Sequence, residues 1–235
     1  MGALLRPPRA ETGVRLVLIS LVLATLSIVV SPFLYAAVVG GLSDPAQAFG
    51  WHIFVLPGIA LALGGALGAT GVVGLWILEW DRRRGADPLS RRWDRQRVAL
   101  VVTVVVAAIQ IGSGIVLGFV HIPWFQALAV IRAALWATLT LTSGLFLYWT
   151  AERIDPGAAR LSQLGFALGT ASGIIPGMTI AASLLGPVAF DPILGGVLGV
   201  AATGIGTLSL LAWIIVYGGI LVRLGSRERA PVVAS

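Results

Sequence analysis

Six long stretches without a charged residue divide the chain. They cover 16–43, 45–78, 98–131, 133–151, 161–190 and 192–222. Each can supply the ~20 apolar residues that cross a hydrocarbon core ~30 Å thick. Glycine, proline and polar signals trim them to predicted transmembrane helices at 14–39, 51–80, 98–120, 126–149, 163–186 and 193–222. The runs do not alternate apolar and polar residues, as the strands of a membrane barrel would. The predicted fold class is therefore all-α, an integral membrane protein with one transmembrane domain over 1–235.

Arginines lie almost entirely in every second connection. Three lie before or at the very start of the first predicted span, seven lie between the second and third, two follow the fourth and three follow the sixth. The connections 40–50, 121–125 and 187–192 contain none. Because basic residues accumulate on the cytoplasmic side, both termini are predicted to be cytoplasmic, in a multi-pass protein of a prokaryotic plasma membrane. The first span exceeds the apolar core of a cleaved signal peptide and is expected to remain as an anchor.

The composition excludes several classes of chemistry. Charged residues make up 11% of the chain and apolar residues 57%, whereas a soluble domain is about a quarter charged. The formal net charge is +6, but long apolar runs separate the arginines, so no nucleic-acid partner is expected. The absence of cysteine excludes disulfides, thiolate metal sites and a cysteine nucleophile. His52 and His121 are the only histidines, which excludes a histidine-rich metal centre.

Three residues near the predicted outer face are candidates for binding chemistry. His52 opens the second span and either ligates a haem iron or lies among lipid headgroups. His121 has the surroundings of a loop residue. Arg132 is the one charged residue well inside a predicted span, and a buried cation there needs an anion or hydrogen-bond acceptors. Either it extends outward to water or an outer acid, or it binds an anion such as a haem propionate.

Small residues recur at helical spacing. Gly165, Gly169, Gly173 and Gly177 lie on one face of the fifth span, and the same spacing recurs at Gly64 and Gly68, Gly114 and Gly118, and Gly195 and Gly199. Such faces let helices approach closely, although a flat cofactor could use them too. Gly64 and Gly68 are expected to bring the outer halves of the second and fourth spans together. Pro57 and Pro176 are expected to kink their helices.

The segment 81–97 is the one extended hydrophilic stretch. It contains seven of the sixteen arginines and no glycine-rich phosphate loop. We expect it to anchor the protein to anionic headgroups on the cytoplasmic surface. Glu79 precedes it directly and is expected to form an ion pair with the following arginines.

The order of these features resembles the N-terminal half of subunit I of the cytochrome bd-type quinol oxidases. In that family a haem-ligating histidine opens the first core helix, a proline follows five residues later, and a glutamate closes the helix. His52, Pro57 and Glu79 follow this pattern. Further similar elements are Arg91-Arg92-Trp93-Asp94, Ile111-Gly112-Ser113-Gly114, Leu168-Gly169-Thr170, Gly186-Pro187 and Phe190-Asp191-Pro192. The resemblance covers 51–222 and implies a four-helix-bundle-like core, with 14–39 as an added helix.

The resemblance also implies a function. His52 would be the axial ligand of a haem b, and Arg132 would neutralise a propionate. The chain departs from the family where Arg132 and Thr140 replace two glutamates, where Val200 or a neighbour replaces a haem histidine, and where the quinol loop and C-terminal half are missing. Oxygen reduction needs several redox centres, so the chain alone is not expected to be an oxidase.

Three functions remain open. The leading expectation is an electron-transfer subunit that binds haem b within a larger respiratory-type complex, with other membrane subunits as partners. The alternative is a haem-free structural or assembly subunit. A small-molecule carrier is less favoured, because the sequence shows neither an acidic ion-coupling site nor an inverted repeat.

Overall fold

The computed structural model consists of six α-helices, and it describes residues 7–40, 56–84, 94–119, 125–184 and 192–229. The helices are α1 (Pro7–Gly40), α2 (Leu56–Arg84), α3 (Arg95–Phe119), α4 (Phe125–Ile154), α5 (Ala159–Leu184) and α6 (Pro192–Arg229). A short 3-10 turn, Pro156–Ala158, joins α4 to α5, and the described residues contain no strand. Each helix overlaps one predicted segment, so the all-α prediction is confirmed.

Several helices continue beyond the apolar stretches at their arginine-rich ends. The fourth was predicted to end at 149 and ends at Ile154, and the sixth was predicted to end at 222 and ends at Arg229. At the first helix, Glu11 and Arg15 form an ion pair one turn apart before the apolar run begins. Such pairs support helix in a charged segment, which hydrophobicity alone does not predict.

The six helices form a closed ring in chain order. Each packs against its neighbours in sequence, and α6 closes the ring by packing against α1. On α5 and α6, Gly165 lies against Trp213 and Gly169 against Ser209, so these two helices run antiparallel. Because α1 packs between α2 and α6, it is an integral member of the ring. The interpretation of 14–39 as a helix added to a four-helix-bundle-like core depends on the resemblance and stays a prediction.

Close approach through glycines explains how α1 enters the ring. A Cβ atom built on Gly74 of α2 would lie 2.9 Å from the Gly13 carbonyl oxygen and 2.9 Å from Val17 of α1. Neither glycine belongs to the predicted four-residue patterns. Gly71, also on α2, lies against Ser20 of α1. At the predicted positions Gly68 and Gly199, an added Cβ would meet no described residue within 4 Å.

The glycine face of α5 serves helix packing. Gly165 and Gly169 contact α6, and a Cβ on Gly173 would overlap Thr140 of α4. This favours the packing interpretation of the stripe over close approach of a cofactor. The surroundings of Gly64, Gly114, Gly118, Gly177 and Gly195 lie outside the described part of the chain.

The two prolines differ in their helical positions. Pro57 is the second residue of α2, where proline removes no helical hydrogen bond, so a kink at that position is not required. Pro176 lies inside α5, which continues to Leu184.

Among the residues whose burial the structure describes, which are mostly near the arginine-rich helix ends, a buried core is formed. Its largest fully buried side chains are Tyr217, Phe146, Leu100, Ile220 and Val14. They come from α1, α3, α4 and α6, and they fill the half of the ring at these helix ends. The Tyr217 hydroxyl donates to the backbone oxygen of Leu147 at 3.0 Å, so its polar end is also satisfied.

Large apolar side chains cover the outside of the ring. Each of the six helices exposes at least two of them, and the exposed set includes Leu26, Val73, Val105, Ile131, Ile174 and Ile215. Within the described residues, three helical segments are long and apolar enough to cross a membrane: Ala10–Val30, Arg95–Ser113 and Val197–Ser226. The combination of a buried core and an apolar exterior indicates a membrane protein.

Candidate functional site

The sequence predicted His52, His121 and Arg132 as candidate binding residues. His52 and His121 fall outside the described residues. His52 is four positions before Leu56, the first residue of α2. Arg132 belongs to α4, about 10 Å along the axis from the start of that helix, and its side chain is outside the described part of the chain.

The ring order separates the helices of these two residues. The extensive contacts of α2 are with α1 and α3, and those of α4 are with α3 and α5. Gly68 also meets no neighbour. The expected close packing of α2 on α4 through Gly64 and Gly68 is therefore not seen at Gly68, and α3 lies between the two helices.

Charged side chains gather where α2 ends, α3 begins and α4 ends. We call Glu79, Arg82, Arg83, Asp94 and Arg153 the arginine cluster. Glu79 is 5% exposed, and its two oxygens accept from Nε and a terminal nitrogen of Arg82, both at 2.7 Å. The Nε of Arg83 donates to the same carboxylate at 2.7 Å. The expected ion pair of Glu79 with the following arginines is confirmed.

Asp94 links the end of α2 to the start of α3. It accepts from Arg82 at 2.5 Å, and its second oxygen accepts from the backbone N–H of Arg97 at 2.9 Å. The latter bond caps the start of α3, where backbone N–H groups lack helical partners. Partial burial raises the pKa of Asp94, but the hydrogen bonds from Arg82 and Arg97 outweigh that effect, and the pKa lies below its ordinary value.

Arg82 is the centre of the arginine cluster. Burial lowers its pKa, but the hydrogen bonds to Glu79 and Asp94 outweigh burial and raise the pKa above its ordinary value. The guanidinium is therefore held permanently charged between two carboxylates, one from its own helix and one at the start of α3. This geometry fixes the end of α2 against α3.

Arg153 differs from its neighbours. Burial lowers the pKa of its guanidinium, and the positive charge of Arg82 lowers it further. Within the described residues it forms no ion pair within 4 Å and no hydrogen bond. The side chain is nevertheless exposed in the last turn of α4.

A second ionic contact closes the same end of the bundle. Asp155, in the connection between α4 and α5, is 6% exposed and accepts from Arg223 of α6. Its carboxylate also accepts from the backbone N–H of Gly157 at 3.1 Å. The pair ties α6 to the turn that follows α4.

Polar contacts continue along the seam between α3 and α4. The Gln96 side-chain N–H donates to the Thr150 hydroxyl at 2.8 Å, and the Thr103 hydroxyl donates to Thr142 at 2.9 Å. With Gln110, these residues place polar side chains on α3 at intervals of seven residues. This seven-residue spacing is visible in the sequence and could have predicted a polar seam. The seam was not among the sequence predictions. Hydrogen bonds of this kind hold neighbouring helices together in lipid.

The described residues do not assemble a metal-binding group. Among them, no three His, Asp or Glu side chains are arranged to hold a metal ion. A hollow of about 540 Å³ lies on α6, lined by Gly199, Val200, Thr203 and Gly204. Val200 is 76% exposed, so the hollow is on the outside of the ring. The described chemistry is that of ion pairs and helix packing.

Comparisons with protein-family models, curated proteins and solved structures found no match for this chain. The likeness to the cytochrome bd-type oxidases therefore rests on the residues quoted above, and the fold rests on the structure itself.

Proposed function

We propose that all six helices cross the membrane and that both termini are cytoplasmic. Two observations support this. Each helix exposes large apolar side chains on the outside of the ring, and fifteen of the sixteen arginines fall in or beside alternate connections of the sequence, which this topology puts on one side of the membrane. Basic residues at one end predict its cytoplasmic placement.

Single cysteines test this topology, because the chain contains none of its own. Ser43→Cys and Ser90→Cys are placed in the connections at opposite ends of the bundle. In intact cells, an impermeant maleimide should label the cysteine at 43 and reach the cysteine at 90 only after lysis. The reverse pattern would invert the topology, and labelling of both from outside would remove the six-span proposal.

We propose that the chain is a haem b-binding subunit that transfers electrons within a larger membrane complex. The observation that supports this most directly is the extent of α2. The helix begins at Leu56, just after His52, contains Pro57 in its first turn, and carries Glu79 buried near its other end. Pro57 and Glu79 thus lie on one helix in the order that the resemblance to the oxidase subunit requires, and His52 precedes this helix by four residues in the sequence.

The donor set fits a haem. His52 offers a neutral imidazole as axial ligand, and Arg132 offers a guanidinium that suits a propionate carboxylate. Bound haem iron supplies one-electron transfer between its ferric and ferrous states. The part of this chain is to hold the imidazole at the outer end of α2 and to place a positive charge near the ring.

A visible spectrum of the purified full-length chain, followed by its pyridine haemochrome, tests the proposal. His52→Ala should remove a Soret band that His121→Ala leaves intact. Arg132→Leu should weaken haem retention and lower the reduction potential, because a nearby positive charge favours the reduced state. A chain without haem, or one that keeps it after His52→Ala, would overturn the haem proposal.

A haem-free structural or assembly subunit is the second candidate. A specific observation favours it: Gly165, Gly169 and Gly173, which could have lain against a flat cofactor, instead contact helices α6 and α4. Purification of stable, colourless protein with partner subunits attached would support this candidate against the first.

A further inference from the structure

Trp136 of α4 is exposed although it lies on the inward face of its helix. It is eleven residues before Leu147, about three helical turns, so both lie on one face. The backbone oxygen of Leu147 accepts from Tyr217 of α6, which is not a neighbour of α4 in the ring, so this face points across the ring. Leu147 is 8% exposed, whereas Trp136 is 45% exposed. The inward face of α4 thus changes from buried to exposed within about 16 Å along the axis.

Two glycines repeat this change on the inward faces of α2 and α6. Gly68 is seven residues before Leu75, about two helical turns, and Leu75 is 5% exposed within the buried core. Gly199 is eighteen residues before Tyr217, about five helical turns, and Tyr217 is fully buried. Both glycines are exposed, and an added Cβ would meet no described residue within 4 Å. Together with Trp136, they show the change on every second helix of the ring.

The hollow on α6 connects one of these positions with the outside of the ring. Gly199 and Val200 both line it, and Val200 is 76% exposed. An apolar ligand thereby has a lateral route from the lipid to the inward face of α6.

Polar groups accompany Trp136 on the inward faces. Arg132 is eighteen residues before the buried Thr150, so it lies on the same face of α4, one turn from Trp136. A cation inside a membrane protein needs an anion. Because Gln96 of α3 pairs with Thr150, Gln110, fourteen residues beyond Gln96, is level with Trp136, fourteen residues before Thr150. The side-chain oxygen of Gln110 is buried and has no hydrogen-bond partner in the described structure, so a polar ligand atom would complete this position.

We propose that the interior of the ring between Gly68, Trp136 and Gly199 binds a planar, mostly apolar ligand that carries a carboxylate. The indole of Trp136 packs against its flat face, the glycines admit it close to the backbones of α2 and α6, and Arg132 binds the carboxylate. Haem b belongs to this class, so the inference rests on the proposed function for its natural ligand. An iron-free porphyrin tests the site itself, because it needs no axial histidine.

The test uses the full-length chain from a host unable to make haem, purified in dodecyl maltoside. Protoporphyrin IX is added in steps, and native mass spectrometry quantifies the complex with one porphyrin per chain. Trp136→Leu should weaken binding about tenfold, because an aromatic contact and its apolar area are lost. Trp136→Phe keeps a flat ring and should weaken binding less than about threefold. Trp76→Leu is the matched control, since Trp76 is 48% exposed but is turned about 100° from Leu75 and the inward face of α2.

A second pair of variants tests the glycine wall without removing an aromatic ring. Gly68→Leu adds a side chain on the inward face and should weaken porphyrin binding about fivefold by occupying the site. Ala69→Leu is its control, because Ala69 is exposed and turned about 100° from Gly68. Both Trp76→Leu and Ala69→Leu should change binding by less than about twofold.

The carboxylate is tested with protoporphyrin IX dimethyl ester, which has none. The ester should bind about tenfold more weakly than the acid, and Arg132→Gln should remove this difference. Equal binding of acid and ester would overturn the role of Arg132, and equal losses in Trp136→Leu and Trp76→Leu would overturn the site. A chain isolated without haem from an ordinary host that binds porphyrin through Trp136 would refute the haem function and support this site. A chain that keeps both haem and porphyrin after Trp136→Leu would overturn this site and leave the haem function standing.

Discussion

The carboxylate of Glu79 should contribute more to stability than any other single charge in the arginine cluster. It is 5% exposed and accepts three hydrogen bonds of 2.7 Å from two guanidinium groups. Glu79→Gln retains one acceptor oxygen but removes the negative charge that Arg82 and Arg83 share. Breaking a buried ion pair costs about 3–5 kcal/mol. Because the side chains of Arg82 and Arg83 are 18% and 20% exposed and Arg82 keeps Asp94, water offsets part of this, and we expect about 2–4 kcal/mol.

Reversible unfolding in mixed micelles, followed by tryptophan fluorescence at neutral pH, measures this loss. Glu152→Gln is the matched control, since Glu152 is exposed in the last turn of α4 and should change the unfolding free energy by no more than about 0.5 kcal/mol. If the two substitutions destabilise equally, the buried ion pair does not have the role assigned to it here.

Three further outcomes follow from single contacts in the same unfolding assay. Tyr217→Phe should cost about 1 kcal/mol, because its hydroxyl donates to a buried backbone oxygen, whereas Tyr148→Phe, whose bond is at 3.4 Å and exposed, should be nearly neutral. Gly74→Ala should cost about 1–3 kcal/mol by forcing α1 away from α2. By contrast, Gly218→Ala has open space and should be neutral or stabilise by about 0.5–1 kcal/mol. Asp94 has a lowered pKa, so its stabilisation is complete above its ordinary pKa and is lost as pH falls through the folded value. The difference in stability between the original chain and Asp94→Asn should accordingly shrink below about pH 4.

The elements of the fold were predictable because they depend on short-range pattern. Apolar runs of membrane-spanning length located all six helices, and the missed turns lie at arginine-rich ends such as Ile154 and Arg229. Which helices pack against each other in the ring was less predictable. The contact between Gly13 and Gly74 joins two residues that are sixty-one positions apart, and no short-range spacing in the sequence predicts it.

In the candidate site, too, contacts within one helix were predictable and contacts between helices were not. The ion pair of Glu79 with Arg82 and Arg83 could be predicted, since the three residues lie within one helical turn or slightly more. The bond from Arg223 to Asp155 crosses from α6 to the connection after α4, and only the order of helices in the ring brings these two together. Sequence spacing predicts contacts along one helix, whereas tertiary packing decides those between helices.

The packed half of the ring at the arginine-rich helix ends, which we call the inner half, provides a way to separate the two proposed functions. Tyr217, Phe146 and Leu100 fill that half with buried side chains, so a haem held by His52 would lie beyond this core, toward the other end of α2. Substitutions in the core and in the haem site should then act on different properties. Tyr217→Phe should lower the unfolding free energy and leave the Soret band unchanged, while His52→Ala should remove the band and leave the packing of the inner half intact. If Tyr217→Phe shifts the haem spectrum as strongly as it lowers stability, the haem is in contact with the core, and its assignment to the outer end of α2 is wrong.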